Sequence, residues 1–93
     1  MWKVCFKKSV SKDFKKLPLS IKEILFLLVQ ELELLGPYRS NWPNYGKLRG
    51  RKECFHCHIK KGNPTMVVLW EIKDKTIKLM EVSYVGTHEK APY

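Results

Sequence analysis

The segment from Lys47 to Lys61 combines paired histidines with many basic residues. If residues 53 to 61 form a strand, alternate side chains share a face, so His56, His58 and Lys60 are expected to point outward together. Residues two apart on a strand are separated by roughly 7 Å, a span over which one imidazole can accept a proton and another can donate one across a phosphodiester. Histidine suits both roles because its unperturbed pKa of about 6.5 leaves both protonation states populated near neutrality. A solvated histidine pair without a catalytic role is the alternative interpretation.

Cleavage of RNA without a metal also needs positive charge to stabilise the phosphorane. Candidate phosphate-binding residues surround the two histidines: Lys47, Arg49, Arg51, Lys52, Lys60 and Lys61. A third histidine, His88, follows the last predicted strand, and Tyr93 lies five residues beyond it. Because the ends of strands often carry site residues, His88 joins the candidate set.

The charge balance favours a polyanionic partner. The 93 residues contain 18 Lys and Arg against 9 Asp and Glu, a formal net charge of +9. This excess indicates contact with nucleic acid or the ribosome, and an acidic protein that covers the same surface is compatible with it. The beginning of the chain has no apolar run of the length that a signal peptide or a membrane span requires, so we expect a cytoplasmic protein with no membrane partner.

Residues Cys54 to His58 match the C-x-x-C-H pattern of covalent haem attachment, and zinc is a second possibility. On a strand, however, Cys54 and Cys57 point to opposite faces, which suits neither haem nor a tetrahedral metal. The same alternation turns Phe55, Cys57 and Ile59 toward the helices. Cys54 then faces outward with the histidines. We therefore expect no metal, no cofactor and no disulfide framework.

A strand is predicted at Trp2–Phe6, where apolar and polar residues alternate. Ser9 or Ser11 can cap a short helix that ends near Leu17, because Pro18 disfavours helical geometry in the residue before it.

A longer helix is predicted from a capping box of Ser20 and Glu23, with Leu19 packed onto Ile24, to Gly36-Pro37 at its end. Its core positions recur at helical spacing: Ile21, Ile24, Leu25, Leu28, Leu32 and Leu35. Further apolar residues widen this stripe: Phe26, Leu27, Val29 and Leu34. The helix is therefore either deeply packed or covered by a partner.

Residues 36 to 50 are expected to form a loop, whose Tyr38, Trp42 and Tyr45 either anchor it or stack on bases. Three predicted strands follow and form an antiparallel meander: Glu53–Lys61, Thr65–Lys73 and Thr76–Val85. The fold class is α+β, with residues 1–93 in one small domain of order β-α-α-β-β-β and two N-terminal helices on one face of an antiparallel-rich sheet. The opposite face is expected to be open.

The chain resembles the RelE superfamily of toxins from toxin-antitoxin pairs, particularly its RelE and HigB branches. The resemblance covers nearly the whole chain and rests on the order of elements and on short motifs. These motifs are Lys16-Leu17-Pro18 before the long helix, Lys47-Leu48-Arg49-Gly50 before the second strand, Cys54-Phe55 at its start, and Val85-Gly86-Thr87-His88 with a later Tyr93.

The resemblance implies a metal-independent endoribonuclease that cleaves mRNA, usually on the ribosome, and that is silenced by a cognate antitoxin. By position, it implies a basic role for Arg49 and site roles for four residues: His56, His58, His88 and Tyr93. Many relatives carry a phosphate-binding arginine early in the third strand, where this chain has Thr65-Met66. That departure leaves open a non-enzymatic protein of the same fold, such as a ParE-like gyrase poison or a degenerate toxin that only binds its antitoxin.

Overall fold

Five strands form one mixed sheet in the computed structural model, which describes residues 1–93. The strands are β1 (Lys3–Phe6), β2 (Gly46–Lys47), β3 (Cys54–Lys60), β4 (Met66–Asp74) and β5 (Leu79–Thr87). Their order across the sheet is β1-β5-β4-β3-β2, with β1 parallel to β5 and the other pairs antiparallel. The predicted α+β class and the antiparallel meander of the last three strands are confirmed.

The short strand β2 was not predicted, because residues 36 to 50 were expected to form a loop. Gly46 pairs with His56 and Lys47 pairs with Phe55 along the edge of β3. Two residues are too few to show an alternating pattern, so only the partner strand defines this element. As a result, β3 has a neighbour on each side.

The helices lie between β1 and β2, and no helix is long and apolar enough to cross a membrane. The first, α1 (Lys8–Asp13), continues into a 3-10 turn at Phe14–Lys16 and ends before Pro18 as predicted. The predicted cap at Ser9 or Ser11 is wrong, because the helix begins earlier, after Lys7, and both serines lie within it.

The second helix, α2 (Leu19–Leu35), follows Pro18 directly. The predicted capping box is wrong, because Ser20 is already a helical residue and no side chain caps this end. Instead, the carbonyl of Pro18 accepts hydrogen bonds from the backbone N–H groups of Ile21 and Lys22, both at 3.0 Å. The predicted end is confirmed: Gly36 has a φ of +94°, where glycine is favoured, and its N–H donates to the carbonyl of Leu32.

Both helices pack against one face of the sheet. The core on this helix side includes Val10 of α1, four residues of α2 and the alternate residues of β3: Ile21, Leu25, Leu28, Leu32, Phe55, Cys57 and Ile59. The prediction that Leu35 belongs to this core is wrong, because Leu35 is 66% exposed at the last turn. Phe26, Leu27 and Leu34 are also exposed, so the apolar stripe is wider than the core it covers.

The loop from residue 36 to 45 is anchored by its aromatic side chains. Trp42 Nε1 donates to the Glu31 carboxylate at 3.0 Å, and the ring of Tyr45 stacks on Phe55 and Trp70. The anchoring interpretation is therefore confirmed for Trp42 and Tyr45.

The face opposite the helices is not fully open, contrary to the prediction. Leu48, Cys54, Val67 and Leu69 form a small buried cluster there, with Tyr84 and Ala91 packed against it. Cys54 therefore lies on the predicted face but is buried rather than exposed. Residues 88–93 and the loop after β2 cover this part of the sheet. Local periodicity does not predict this covering, because it depends on contacts between segments that are distant in sequence.

Candidate active site

Four side chains predicted to act together meet on the face of the sheet opposite the helices. The ring centroids of His56 and Tyr93 are 5.2 Å apart, those of Tyr93 and His88 are 5.9 Å apart, and those of His88 and His58 are 5.5 Å apart. Strand alternation accounts for His56 and His58, while the segment after β5 brings His88 and Tyr93 to them. We call these four residues the histidine cluster.

The position of His56 depends on a neighbouring glycine. A Cβ atom on Gly46, its cross-strand partner, would lie 3.3 Å from His56 Nε2, which is tighter than ordinary contact. Glycine therefore leaves room for the imidazole at this point. Next along the strand, the backbone N–H of His58 donates to the carbonyl of Pro43 at 2.8 Å, which ties the loop before β2 to the site.

His88 begins a 3-10 turn at His88–Lys90 and is held by backbone contacts. Its N–H donates to the carbonyl of Thr65 at 2.9 Å, and the hydroxyl of Tyr84 donates to the carbonyl of Thr87 at 2.7 Å. The ring of Tyr84 lies over Gly86, where an added Cβ would stand 2.6 Å from the hydroxyl oxygen. Glycine is therefore required at position 86, because any side chain there would collide with the ring of Tyr84. No sequence pattern marked Tyr84 as a site residue.

Tyr93 is placed by a contact that the sequence did not predict. Arg51 Nη2 donates to the carbonyl of Pro92 at 2.7 Å, and so joins the loop before β3 to the segment that carries Tyr93. Arg51 was predicted to bind phosphate, yet its guanidinium holds a carbonyl of its own chain in this structure. The contact spans 41 residues, which explains why sequence spacing did not reveal it.

Burial and neighbouring positive charge favour the neutral forms of His56 and His58. Burial, followed by the charges of His58 and His88, lowers the pKa of His56. The pKa of His58 is also lowered, by burial first and then by the charges of His88 and Lys61. Burial raises the pKa of Tyr93. Because the lowered values lie below 6.5, His56 and His58 are predominantly proton acceptors at neutral pH.

Two cavities share His58 in their linings. One, of about 520 Å³, is lined by His58, Gly62, Asn63, Pro64, Thr65, Thr87, His88 and Glu89. The other, of about 290 Å³, is lined by Trp42, Pro43, Asn44, His58, Ile59, Lys60 and Lys61. His58 and His88 thus face the larger cavity together, with the two lysines on the far side of His58.

The predicted phosphate-binding residues are not all brought to this face. A bulge between His58 and Lys60 puts Lys60 in register with Met66 of the helix-side core, so the prediction that Lys60 shares the face of His56 and His58 is wrong. Lys60 and Lys61 line the smaller cavity beside His58, and Arg49 and Lys52 are exposed in the loop that precedes β3. Lys47 is in register with Phe55, whose side chain packs on the helix side, so Lys47 lies on the face away from the histidines.

Thr65 and Met66 occupy the place where the resemblance leads one to expect an arginine, and their side chains point to different faces of the sheet. Met66 is buried in the helix-side core, whereas Thr65 lines the cavity with His58 and His88. The hydroxyl of Thr65 donates to the carbonyl of Gly62 at 3.0 Å. At this point of the chain, the cavity is therefore lined by a hydroxyl group and not by a cation.

The cysteines lie as strand alternation predicted. Cys57 belongs to the helix-side core and Cys54 to the cluster on the opposite face, so the two thiols cannot bind one metal or one haem. Burial raises the pKa of both thiols, that of Cys57 to about 12, which keeps them protonated. The C-x-x-C-H pattern is therefore a coincidence of an alternating strand.

The fold is that of the RelE-type toxins. E. coli toxin RelE superposes with a TM-score of 0.74 at 19% identity, over 97% of this chain and 86% of that one. A chain of the archaeal RelE-RelB complex from Pyrococcus horikoshii gives 0.70 at 18% identity, over 97% and 98%. A chain of the E. coli DinJ-YafQ toxin-antitoxin complex gives 0.71 at 20% identity, over 99% and 98%. No protein-family model and no curated protein sequence matches the chain.

Proposed function

We propose that this protein is the toxin of a toxin-antitoxin pair and that it cleaves mRNA without a metal ion. The observation that carries the proposal is the histidine cluster, which meets two polar cavities on a RelE-type fold. Chemistry on a polyanion fits the net charge of +9.

The pair formed by His58 and His88 suits the two proton transfers of RNA cleavage. With its lowered pKa, His58 accepts the proton of a ribose 2'-hydroxyl, and the resulting oxygen attacks the adjacent phosphorus. The bond from phosphorus to the 5'-oxygen then breaks, and His88 donates a proton to that oxygen. The products are a 2',3'-cyclic phosphate and a 5'-hydroxyl, and no redox step or metal is involved.

The other two members of the histidine cluster and several basic residues support the pair formed by His58 and His88. The rings of His56 and Tyr93 lie beside the two acting histidines, and Tyr93 meets His88 edge to face. Lys60 and Lys61 border the cavity at His58 and supply positive charge for the phosphorane. Arg49 and Lys52 extend the basic approach along which the RNA backbone is held.

The proposal includes a cognate antitoxin as protein partner, as in the RelE-RelB and DinJ-YafQ complexes. It also places the substrate mRNA on the ribosome and the protein in the cytoplasm. In this setting, cleavage inhibits translation and the antitoxin suppresses it.

Mutation of the acting pair tests the proposal. Induced expression is expected to arrest growth and to produce transcript fragments with 2',3'-cyclic phosphate ends, and His58→Ala or His88→Ala is expected to abolish both effects. Lys78→Ala, an exposed substitution outside the histidine cluster, serves as the control and should retain activity. Cleavage that persists in the double alanine variant would exclude this assignment of the site.

One observation favours a second candidate, a non-enzymatic protein of the same fold. Thr65 and Met66 stand where relatives carry a phosphate-binding arginine, and only the threonine reaches the cavity. A ParE-like gyrase poison would inhibit DNA supercoiling by gyrase and produce no RNA fragments. A degenerate toxin would bind its antitoxin and do neither, so the supercoiling and cleavage assays together separate the three outcomes.

A further inference from the structure

The loop between α2 and β2 is fixed at both ends by contacts with the sheet. At its start, the carbonyl of Pro37 accepts a hydrogen bond from Trp70 Nε1 at 3.0 Å. At its end, the ring of Tyr45 stacks on Phe55 and Trp70. Neither contact reaches residues 42 to 44, which form one wall of the smaller cavity at His58. The middle of the loop therefore needs another anchor.

That anchor is the carboxylate of Glu31, in the second half of α2. Its Oε1 accepts hydrogen bonds from Asn41 Nδ2 at 2.9 Å, from Trp42 Nε1 at 3.0 Å and from Arg39 Nη1 at 3.1 Å. The hydrogen bond from Asn41 first, and then those from Trp42 and Arg39, lower the pKa of Glu31 against the opposing effect of burial. Hydrogen bonds to a charged acceptor are stronger than those between neutral groups, so this one oxygen holds the middle of the loop firmly.

The loop transmits this constraint to His58. Pro43 follows Trp42 directly, and its carbonyl accepts a hydrogen bond from the backbone N–H of His58 at 2.8 Å. The strand β2 pairs with β3 only opposite Phe55 and His56. At His58, the carbonyl of the loop therefore takes the place of a strand partner.

We propose that Glu31 is a positioning residue for His58, on which it acts through residues 39 to 44. Glu31 belongs to a helix on the other side of the sheet from the histidine cluster, so it reaches the site only through the contacts of Trp42 and Pro43. The inference rests on the proposed cleavage of RNA, because the loop keeps His58 where it can accept the proton of the 2'-hydroxyl. The same loop shields one side of the imidazole from water.

The competing interpretation is that Glu31 only stabilises the fold. Its loss would then lower the free energy of unfolding and leave the folded site unchanged. A positioning role predicts a change within the folded protein, because a loosened loop admits water and reduces the burial that lowers the pKa of His58. That pKa then rises toward 6.5. Because His58 must be neutral to accept a proton, the acidic limb of the pH profile of cleavage moves to higher pH.

Paired glutamate variants test the proposal. The test variant is Glu31→Ala, and the matched control is Glu23→Ala, which removes the same charge at an exposed position of the same helix. For Glu31→Ala, we expect kcat to fall about tenfold to a hundredfold with little change in KM, since the carboxylate positions the base and does not contact RNA. NMR titration of the histidines and the pH profile of cleavage should both show a higher pKa for His58. Neither variant alters the charged and titratable groups around His58, which are His56, Lys60, Lys61, His88 and Glu89.

Two further variants separate positioning from loss of stability. Glu31→Gln keeps an oxygen that accepts hydrogen bonds from Asn41 and Trp42, so it should recover most of the activity. Trp42→Phe removes the indole N–H and keeps most of the aromatic packing, and it should raise the pKa of His58 by a smaller amount. This variant decides the question if Glu31→Ala does not fold.

The proposal is overturned if folded Glu31→Ala matches Glu23→Ala in kcat and in the titration of His58, or if Trp42→Phe leaves that titration unchanged. The titration needs no RNA and therefore stands apart from the proposed function. If the unmodified protein cleaves no RNA while Glu31→Ala still raises the pKa of His58, the proposed cleavage fails and the control of His58 by Glu31 is upheld.

Discussion

At the scale of single residues, His56 is confined more closely than the other members of the histidine cluster. Tyr93 stacks beside it, Gly46 lies against its Nε2, and its buried Nδ1 has no hydrogen-bond partner. Protonation of such a ring costs free energy because the charge would be poorly solvated. We therefore expect His56 to shape the cavity in its neutral form while His58 and His88 transfer protons.

Titration of the imidazoles checks this division of roles. Both His56 and His58 should titrate below 6.5 by NMR, because burial and neighbouring charge lower their pKa values. His88→Gln removes one of those charges, so the pKa of His58 should rise while remaining below 6.5, since burial persists. Unchanged values in this variant would show that the two rings do not interact.

Two arginines close in sequence are expected to act differently. Arg51→Ala removes the hydrogen bond to the carbonyl of Pro92, worth about 1 kcal/mol or less at an exposed site, so Tyr93 should leave His56 and cleavage should slow. The matched control for the position of Tyr93 is Arg49→Ala, whose exposed side chain makes no hydrogen bond to the chain. Chemical shifts of the His56 ring report the position of Tyr93. If both variants release Tyr93 equally, Arg51 has no particular role in holding it.

The candidate site could be predicted only in part from single residues. Alternation along β3 predicted that His56 and His58 share a face, and the same rule separated the two cysteines. The part played by Arg51 depends on a contact across 41 residues, which no local pattern records. The face of Lys47 depends on an unpredicted two-residue strand.

At the scale of elements, α2 shows which features of a helix can be predicted from its sequence and which cannot. Its length and its end at Gly36 followed from apolar spacing and from the conformation that glycine favours. Its start did not, because Pro18 and the backbone alone begin the helix and the Ser20 side chain takes no part. Leu35 continues the periodic pattern but is exposed, so periodicity predicts a core that extends one turn further than the observed one.

Adjacent leucines on this helix provide a stability test. Leu28→Ala should lower the free energy of unfolding by about 2 to 5 kcal/mol, because the side chain is fully buried and its removal leaves a cavity. Leu27→Ala should change it by about 0.5 kcal/mol or less, because Leu27 is 55% exposed. Urea unfolding measures both. Similar losses in the two variants would mean that another surface covers Leu27 in solution.

At the scale of the whole molecule, the sheet separates two chemically different surfaces. The histidine cluster and the larger cavity lie on one face, while the exposed lysines of α1 and the exposed apolar residues of α2 lie on the helix side. The α+β class was predictable because the helical periods are grouped near the start of the chain and a run of strand periods follows them. The packing of residues 88–93 on the histidine face could not be predicted, because it joins segments that are distant in sequence.

The parallel pairing of β1 with β5 has a consequence for how the protein forms. Cys5 and Met80 are joined by a hydrogen bond across 75 positions, so the earliest strand must wait for one of the last before it gains a partner. Contacts between such distant segments slow folding and form late during synthesis. His88 also follows β5 in the chain. Until β5 has been synthesised, a nascent chain therefore lacks both the complete sheet and the proposed pair of His58 and His88, so the proposed cleavage of RNA can begin only after that strand has formed.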